Sequence, residues 1–105
     1  MTEERYLDQL KNLVLNLVGK DSCAIFLFGG RARGRRGKEI DVDIGLLGAE
    51  PVPLELLGKL HEAVEASTIP LKVDFVDFKT VDESFKRIAL TEIEIWNQPP
   101  TITIN

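Results

Sequence analysis

Two aspartates one residue apart, Asp41 and Asp43, interrupt an otherwise apolar run, Ile40-Asp41-Val42-Asp43-Ile44. On a strand such a pair shares one face, about 6–7 Å apart along the backbone. Two carboxylates so placed can converge on one divalent cation. Oxygen ligands of this kind suit magnesium, which takes one or two carboxylates plus substrate phosphates. Alone, the spacing more often marks a strand with one solvated face, so its meaning depends on its neighbours.

The upstream neighbours are a glycine turn and a run of cations. Phe28 leads into Gly29-Gly30, and Arg31, Arg33, Arg35, Arg36 and Lys38 follow with no acid among them. Backbone N–H groups at a glycine turn can approach an anion with no Cβ in the way. Two better-known phosphate motifs do not fit. Gly29 and Gly34 have the Walker separation, but Arg35 and Arg36 follow where Lys and Ser or Thr are required, and G-x-G-x-x-G is not present. An anion-binding turn, cations and paired acids together supply both halves of a metal–nucleotide site. The turn and arginines hold phosphate, and the acids hold the metal that neutralises it.

A third acid would complete the set, and "KVDFVDF" offers Asp74 and Asp77. Alternation separates them. Ile40, Val42 and Ile44 form one face of the earlier strand, with Asp41 and Asp43 on the other. In the later strand Leu71, Val73 and Phe75 form the apolar face, so Asp74 falls on the acidic side. Asp77 has the parity of the apolar set and is expected just past the strand, hydrogen-bonded in a turn.

The elements that must position these residues can be read in order. Leu7, Leu10, Leu13, Val14, Leu17 and Val18 recur at helical spacing, and Gly19 stops the run. "CAIFLF" is a buried strand and "EIDVDIGLL" an alternating one. Pro53 fits a first helical turn ahead of the stripe Leu56, Leu57, Leu60, Val64. A strand over "LKVDFV", a short helix capped by Thr80 or Asp82, and a strand over "EIEIW" follow. The expected fold is α/β (α+β): one domain over 1–105, a mixed sheet of about four strands flanked by about four helices, with a flexible tail at about 97–105.

Composition narrows the function. The chain of 105 residues carries a net charge of −4. Five of its 13 cations crowd into the loop, so the rest is distinctly acidic. A local cationic patch on an acidic body indicates a discrete anion site, not an extended nucleic-acid surface. No apolar run approaches a membrane span. The acidic, amphipathic start is not expected to be a signal peptide. The lone Cys23 reads as a small buried hydrophobe, which fits a cytoplasmic location.

The joint spacing resembles the polymerase-beta-like nucleotidyltransferases, and within them the minimal nucleotidyltransferases. The family pattern is a hydrophobic residue, Gly, Gly or Ser, about ten residues, Asp-x-Asp, and later a lone acid between hydrophobic residues. Here it reads Phe28-Gly29-Gly30, ten residues, Asp41-Val42-Asp43, then Val73-Asp74-Phe75. "GGRARG" is similar to the family's frequent Gly-Ser-Arg-Ala-Arg-Gly, with Gly30 in place of the commoner Ser.

The resemblance implies that Asp41, Asp43 and Asp74 bind two magnesium ions and that Asp74 helps activate an acceptor hydroxyl. It implies that Gly29, Gly30, Arg31 and Arg33 hold the triphosphate of ATP. It further implies a HEPN-type helical toxin, encoded alongside, as partner, with AMP placed on a tyrosine of that toxin and this chain acting as antitoxin. Three rivals stand beside this reading. One is an antitoxin that works by contact alone, the second a small-molecule (antibiotic-type) nucleotidyltransferase, and the third a nucleic-acid binder built on "RARGRRGK". Arg35, Arg36 and Lys38 read as solvated, His61 as core edge or surface, Trp96 as core with a partner surface as second reading, and Phe75 and Phe78 as core.

Overall fold

The computed structural model describes residues 2–37 and 40–104; Met1, Lys38, Glu39 and Asn105 lie outside the described residues. The elements in chain order are α1 (Glu3–Val18), β1 (Cys23–Phe28), β2 (Val42–Gly48), α2 (Leu54–Ala66), β3 (Val73–Asp77), α3 (Glu83–Ala89) and β4 (Glu94–Asn97). The strands form one mixed sheet in the order β3-β2-β1-β4. β1 runs antiparallel to both β2 and β4, while β2 and β3 are parallel. Parallel neighbours need a long crossover, and α2 is that crossover.

Alternation explains both layers. Ile25 and Leu27 of β1, Val42, Ile44 and Leu46 of β2, and Phe75 of β3 pack with Leu10 and Val14 of α1 and Leu60 of α2. Trp96 joins this aliphatic core, so its default reading holds. The residues of opposite parity, Ala24, Phe26, Phe28 and Leu47, meet Phe78, Ala89 and Ile104 on the other face. β1 is buried along its whole length because both of its faces are covered. Gly45 makes room on that second face. A Cβ there would run into the ring of Phe26 and come within 2.9 Å of the ring of Phe78.

The helix ends follow their local chemistry. The Thr2 hydroxyl accepts from the Arg5 N–H at the start of α1. Asp82, rather than Thr80, caps α3, its carboxylate accepting from the Phe85 N–H at 2.8 Å. That hydrogen bond holds the Asp82 carboxyl below its ordinary pKa. Pro53 sits at the cap position of α2, one residue ahead of the first turn.

Two expectations are corrected. Among the described residues there are three helices, not about four. In the loop after β1, read as a cationic loop, Gly34 and Gly37 adopt φ of +93° and +125°, so the described residues of that loop turn rather than form a helix. Of the expected tail, the described residues 97–104 are packed rather than loose. Pro99 and Ile104 are buried, Ile102 and Ile104 pack on the second face, and the Ile102 N–H donates to the Pro99 carbonyl at 3.1 Å. The alternation Thr101-Ile102-Thr103-Ile104 supplies this apolar face.

Candidate active site

Three neighbouring strands carry the chemistry in one row. Phe28 opposes Asp43 in the antiparallel β1–β2 pair, and Asp43 opposes Asp74 in the parallel β2–β3 pair. Register partners point their side chains to the same side of a sheet, so Asp43 and Asp74 share the second face. Asp41 lies two residues before Asp43, where the Val42 N–H donates to the Lys72 carbonyl at 2.8 Å and continues the ladder. Burial, then the charges of Asp41 and Asp74, push the Asp43 pKa above the ordinary aspartate value. Both neighbouring carboxylates therefore act on Asp43.

Asp77 stands apart from it. It is the last residue of β3, one position further than the sequence reading extends that strand. Its carboxylate accepts from the Val52 N–H and the Lys79 N–H, both at 2.9 Å. Its work is the turn expected of it.

The glycine turn closes over Asp43. Gly29 has φ of +75°, and a Cβ there would collide with the Asp43 carboxylate. Only glycine satisfies both the backbone angle and the close approach. Beyond it the chain turns tightly. The Arg33 N–H donates to the Gly29 and Gly30 carbonyls, both at 3.2 Å, and the Arg35 N–H donates to the Gly30 carbonyl at 2.9 Å. Gly30 has no positive φ. A Cβ on it would meet Ile40 Cγ2 at 3.3 Å and Arg35 Cδ at 3.4 Å, so a small side chain fits with a slight shift.

The cations of this loop divide into different tasks. Arg31 is 2% exposed. Its Nε donates to the Ile40 carbonyl at 3.1 Å, its Nη2 to the Gly37 carbonyl at 2.8 Å, and its Nη1 pairs with Glu3. The expectation that Arg31 holds triphosphate is corrected for its side chain, which is spent on pinning the loop. Glu3 completes the clip by accepting from the Gly37 N–H at 3.3 Å. The hydrogen bond from Arg31 is the main reason its carboxyl titrates below the ordinary glutamate value, against an opposing effect of burial. Glu3 was missed in the sequence because nothing local marks a first-turn acid as the partner of a residue 28 positions away.

Arg33, by contrast, is exposed and lines the same cleft as Gly29 and Asp43. Arg36 donates to the carbonyls of Arg31 and Arg35 at 3.0 and 2.9 Å, and Arg35 is exposed. His61 is exposed and meets Phe75 edge-on at 5.2 Å, as a core-edge residue should.

Among the described residues no three acids, histidines or cysteines are already gathered into a cage for a metal. The carboxylates line a shared face without closing on a point. Such a face suits magnesium, which dehydrates reluctantly and fills much of its shell with water and substrate phosphate. The excess negative charge felt by Asp43 gives a cation a reason to bind there.

The fold has relatives among solved structures. A chain from the tri-AMPylated Shewanella oneidensis HEPN toxin in complex with MNT antitoxin superposes with a TM-score of 0.59 at 21% identity, covering 90% of this chain and 71% of that one. A toxin–antitoxin structure with AMP-PNP gives 0.61 at 22% identity, covering 95% and 76%. In sequence, the chain is 33% identical over 64 residues to the probable protein adenylyltransferase MntA of Haemophilus influenzae. That match covers 61% of this chain and 56% of the relative, so the chain spans little more than half of the relative's length. Residues 12–100, which include the glycine turn and all three acids, match the family described as Polymerase beta, Nucleotidyltransferase, and the chain belongs to that family.

Proposed function

We propose that this chain is a magnesium-dependent adenylyltransferase that moves AMP from ATP to a hydroxyl, a tyrosine of a HEPN-type toxin, and thereby acts as its antitoxin. The observation that carries the reading is the row formed by the Gly29 turn, Asp43 and Asp74, with exposed Arg33 beside it. ATP as substrate and the toxin as partner draw support from the relatives, whose descriptions include an adenylyltransferase, an AMP-PNP complex and an AMPylated HEPN toxin.

Asp41, Asp43 and Asp74 are the residues that would hold magnesium. When bound, it supplies charge neutralisation and orientation of the phosphates. The chain's own groups do the remainder. Gly29, Gly30 and Arg33 hold the β- and γ-phosphates, while the clip of Arg31 and Glu3 keeps their loop in shape. Asp74, exposed on the edge strand, accepts the proton of the acceptor hydroxyl. The acceptor oxygen forms a bond to the α-phosphorus, the bond from that phosphorus to the bridging oxygen breaks, and pyrophosphate leaves with its electron pair.

Co-expression with the product of the adjacent gene, followed by intact-mass measurement with and without ATP and magnesium, tests this. A partner mass raised by one or more AMP groups is expected. A partner neutralised with no change in mass would replace the enzyme with an antitoxin acting by contact alone.

A further inference from the structure

An apolar cleft of about 300 Å³ adjoins the acidic row. Its apolar wall is Phe28 from β1 with Phe85, Ile88 and Ala89 from α3, and its polar side is Gly29, Arg33 and Asp43. Phe28 and Ala89 are buried, but Phe85 and Ile88 are 42% and 63% exposed, large apolar side chains left at the surface beside a charged site. Phe85 stands edge-on to Phe28, with ring centroids 6.2 Å apart.

From these residues we infer that the cleft receives the aromatic ring of the acceptor, a protein tyrosine, with its hydroxyl at the Asp43 side. This rests on the proposed adenylyl transfer and assigns that reaction a binding subsite on α3. The volume accommodates one ring and lies at the small end of ligand pockets. Ring edges and faces at Phe28 and Phe85 offer the offset or T-shaped contacts that aromatic groups prefer. Polarity selects between the two rings the reaction involves. A purine carries several donors and acceptors around its edge. Among the described residues the cleft's polar side chains are those of Arg33 and Asp43, and in the proposed reaction these serve phosphate and metal. A phenol has one polar atom, which at the polar side of the cleft lies by Asp43, next to Asp43's register partner Asp74, the proton acceptor of the proposed reaction. The surface position of Phe85 and Ile88 lets a side chain carried by another protein enter from outside.

The test is a binding measurement that needs no turnover. Amide NMR spectra of the protein, first with magnesium and AMP-PNP, are followed on addition of N-acetyl-tyrosinamide, with N-acetyl-serinamide as control. Shifts concentrated at Phe85, Ile88 and Ala89 are expected with the tyrosine probe only. Ile88→Ser, at an exposed position, should weaken that binding tenfold or more while AMP-PNP affinity stays within twofold. Phe85→Leu serves as the second variant, and circular dichroism checks both folds. The assignment is overturned if AMP-PNP alone shifts α3 and abolishes the tyrosinamide response, which would put the nucleobase in the cleft. It is equally overturned if tyrosinamide leaves α3 unmoved. Absence of AMP on the partner in the mass experiment would count against the transfer reaction without touching this binding result.

Discussion

The two faces of the sheet are built on opposite terms. The face under α1 and α2 is closed and aliphatic, with Leu10, Val14, Ile25, Val42, Ile44, Leu46 and Leu60 all fully buried. The other face is covered only in part by α3 and the C-terminal segment. It is aromatic where it is covered and acidic where it is not. The second face also has a buried part, around Ala24, Phe26 and Phe78, but its uncovered part gathers the carboxylates and leaves Phe85 at the surface. The comparison teaches that the period-two alternation of β2 does two jobs at once, anchoring by one parity and presenting chemistry by the other.

The sharpest way to break that division is to remove charge from the acidic face. Asp41→Asn and Asp43→Asn are each expected to lower transfer by about a hundredfold or more while the protein still folds. For Asp43 the stability effect has a defined sign. Its folded pKa is raised, so the folded state binds the proton more tightly than the unfolded state. The penalty for ionising it sets in as pH rises through the ordinary aspartate value and is complete above the folded value. Asp43→Asn should therefore raise the melting temperature at neutral pH, and the gain should vanish in acid below the ordinary value. Thermal melts across pH with the metal chelated would check this. An unchanged rate in either folded variant would sink the site.

Asp74 and Asp77 sharpen the same comparison within one strand. Asp74→Asn is expected to abolish transfer while metal–nucleotide binding partly survives. Asp77→Asn should retain most transfer but lose about 1–3 kcal/mol of stability, because its carboxylate holds two backbone N–H groups. Steady-state kinetics and denaturant melts on both variants separate the roles, and the opposite ranking would mean that the register argument fails.

The arginines give a third contrast. Arg31→Ala removes the buried guanidinium that bonds the Ile40 and Gly37 carbonyls and Glu3, and is expected to lower the melting temperature. Arg33→Ala should leave stability unchanged and weaken nucleotide binding about tenfold, the worth of one charge-assisted contact. Calorimetric titration beside thermal melts would expose any reversal.

Packing supplies the fourth. Leu46→Ala on the closed face is expected to cost about 2–5 kcal/mol. Phe85→Ala, at a half-exposed position, should cost about 1 kcal/mol, well short of full burial. Equal losses in chemical denaturation would mean that the second face is as load-carrying as the first. The smallest effect is expected from Gly30→Ser. It should shift stability by about 0.5 kcal/mol or less, since its backbone angle is ordinary and its neighbours are side-chain tips.

Alternation and glycine stops made the seven elements readable from the chain, and the parity of Asp41, Asp43 and Asp74 put the acids on one face in advance. What alternation cannot express is a partner distant in sequence. Nothing in "GGRARG" says that Arg31 turns inward to Glu3 while Arg33 stays out, since both are arginines in the same loop and only the docking of α1 distinguishes them. The C-terminal segment failed for a related reason. It read only as a tail, because the apolar face of Thr101–Ile104 has meaning only once Ala24 and Phe26 are known to need a cover.

β3 is the end strand of the sheet, five residues long, and it hydrogen-bonds to β2 alone. Strands of this kind open locally at lower free energy than the centre of a sheet, and each opening would carry Asp74 away from Asp43. Like charges facing each other across that ladder favour the open form, and a shared cation favours the closed one. Slower amide hydrogen exchange at Val73–Asp77 on adding magnesium, with Cys23–Phe28 unchanged, would be the signature of a site whose last member is held in place by what it binds.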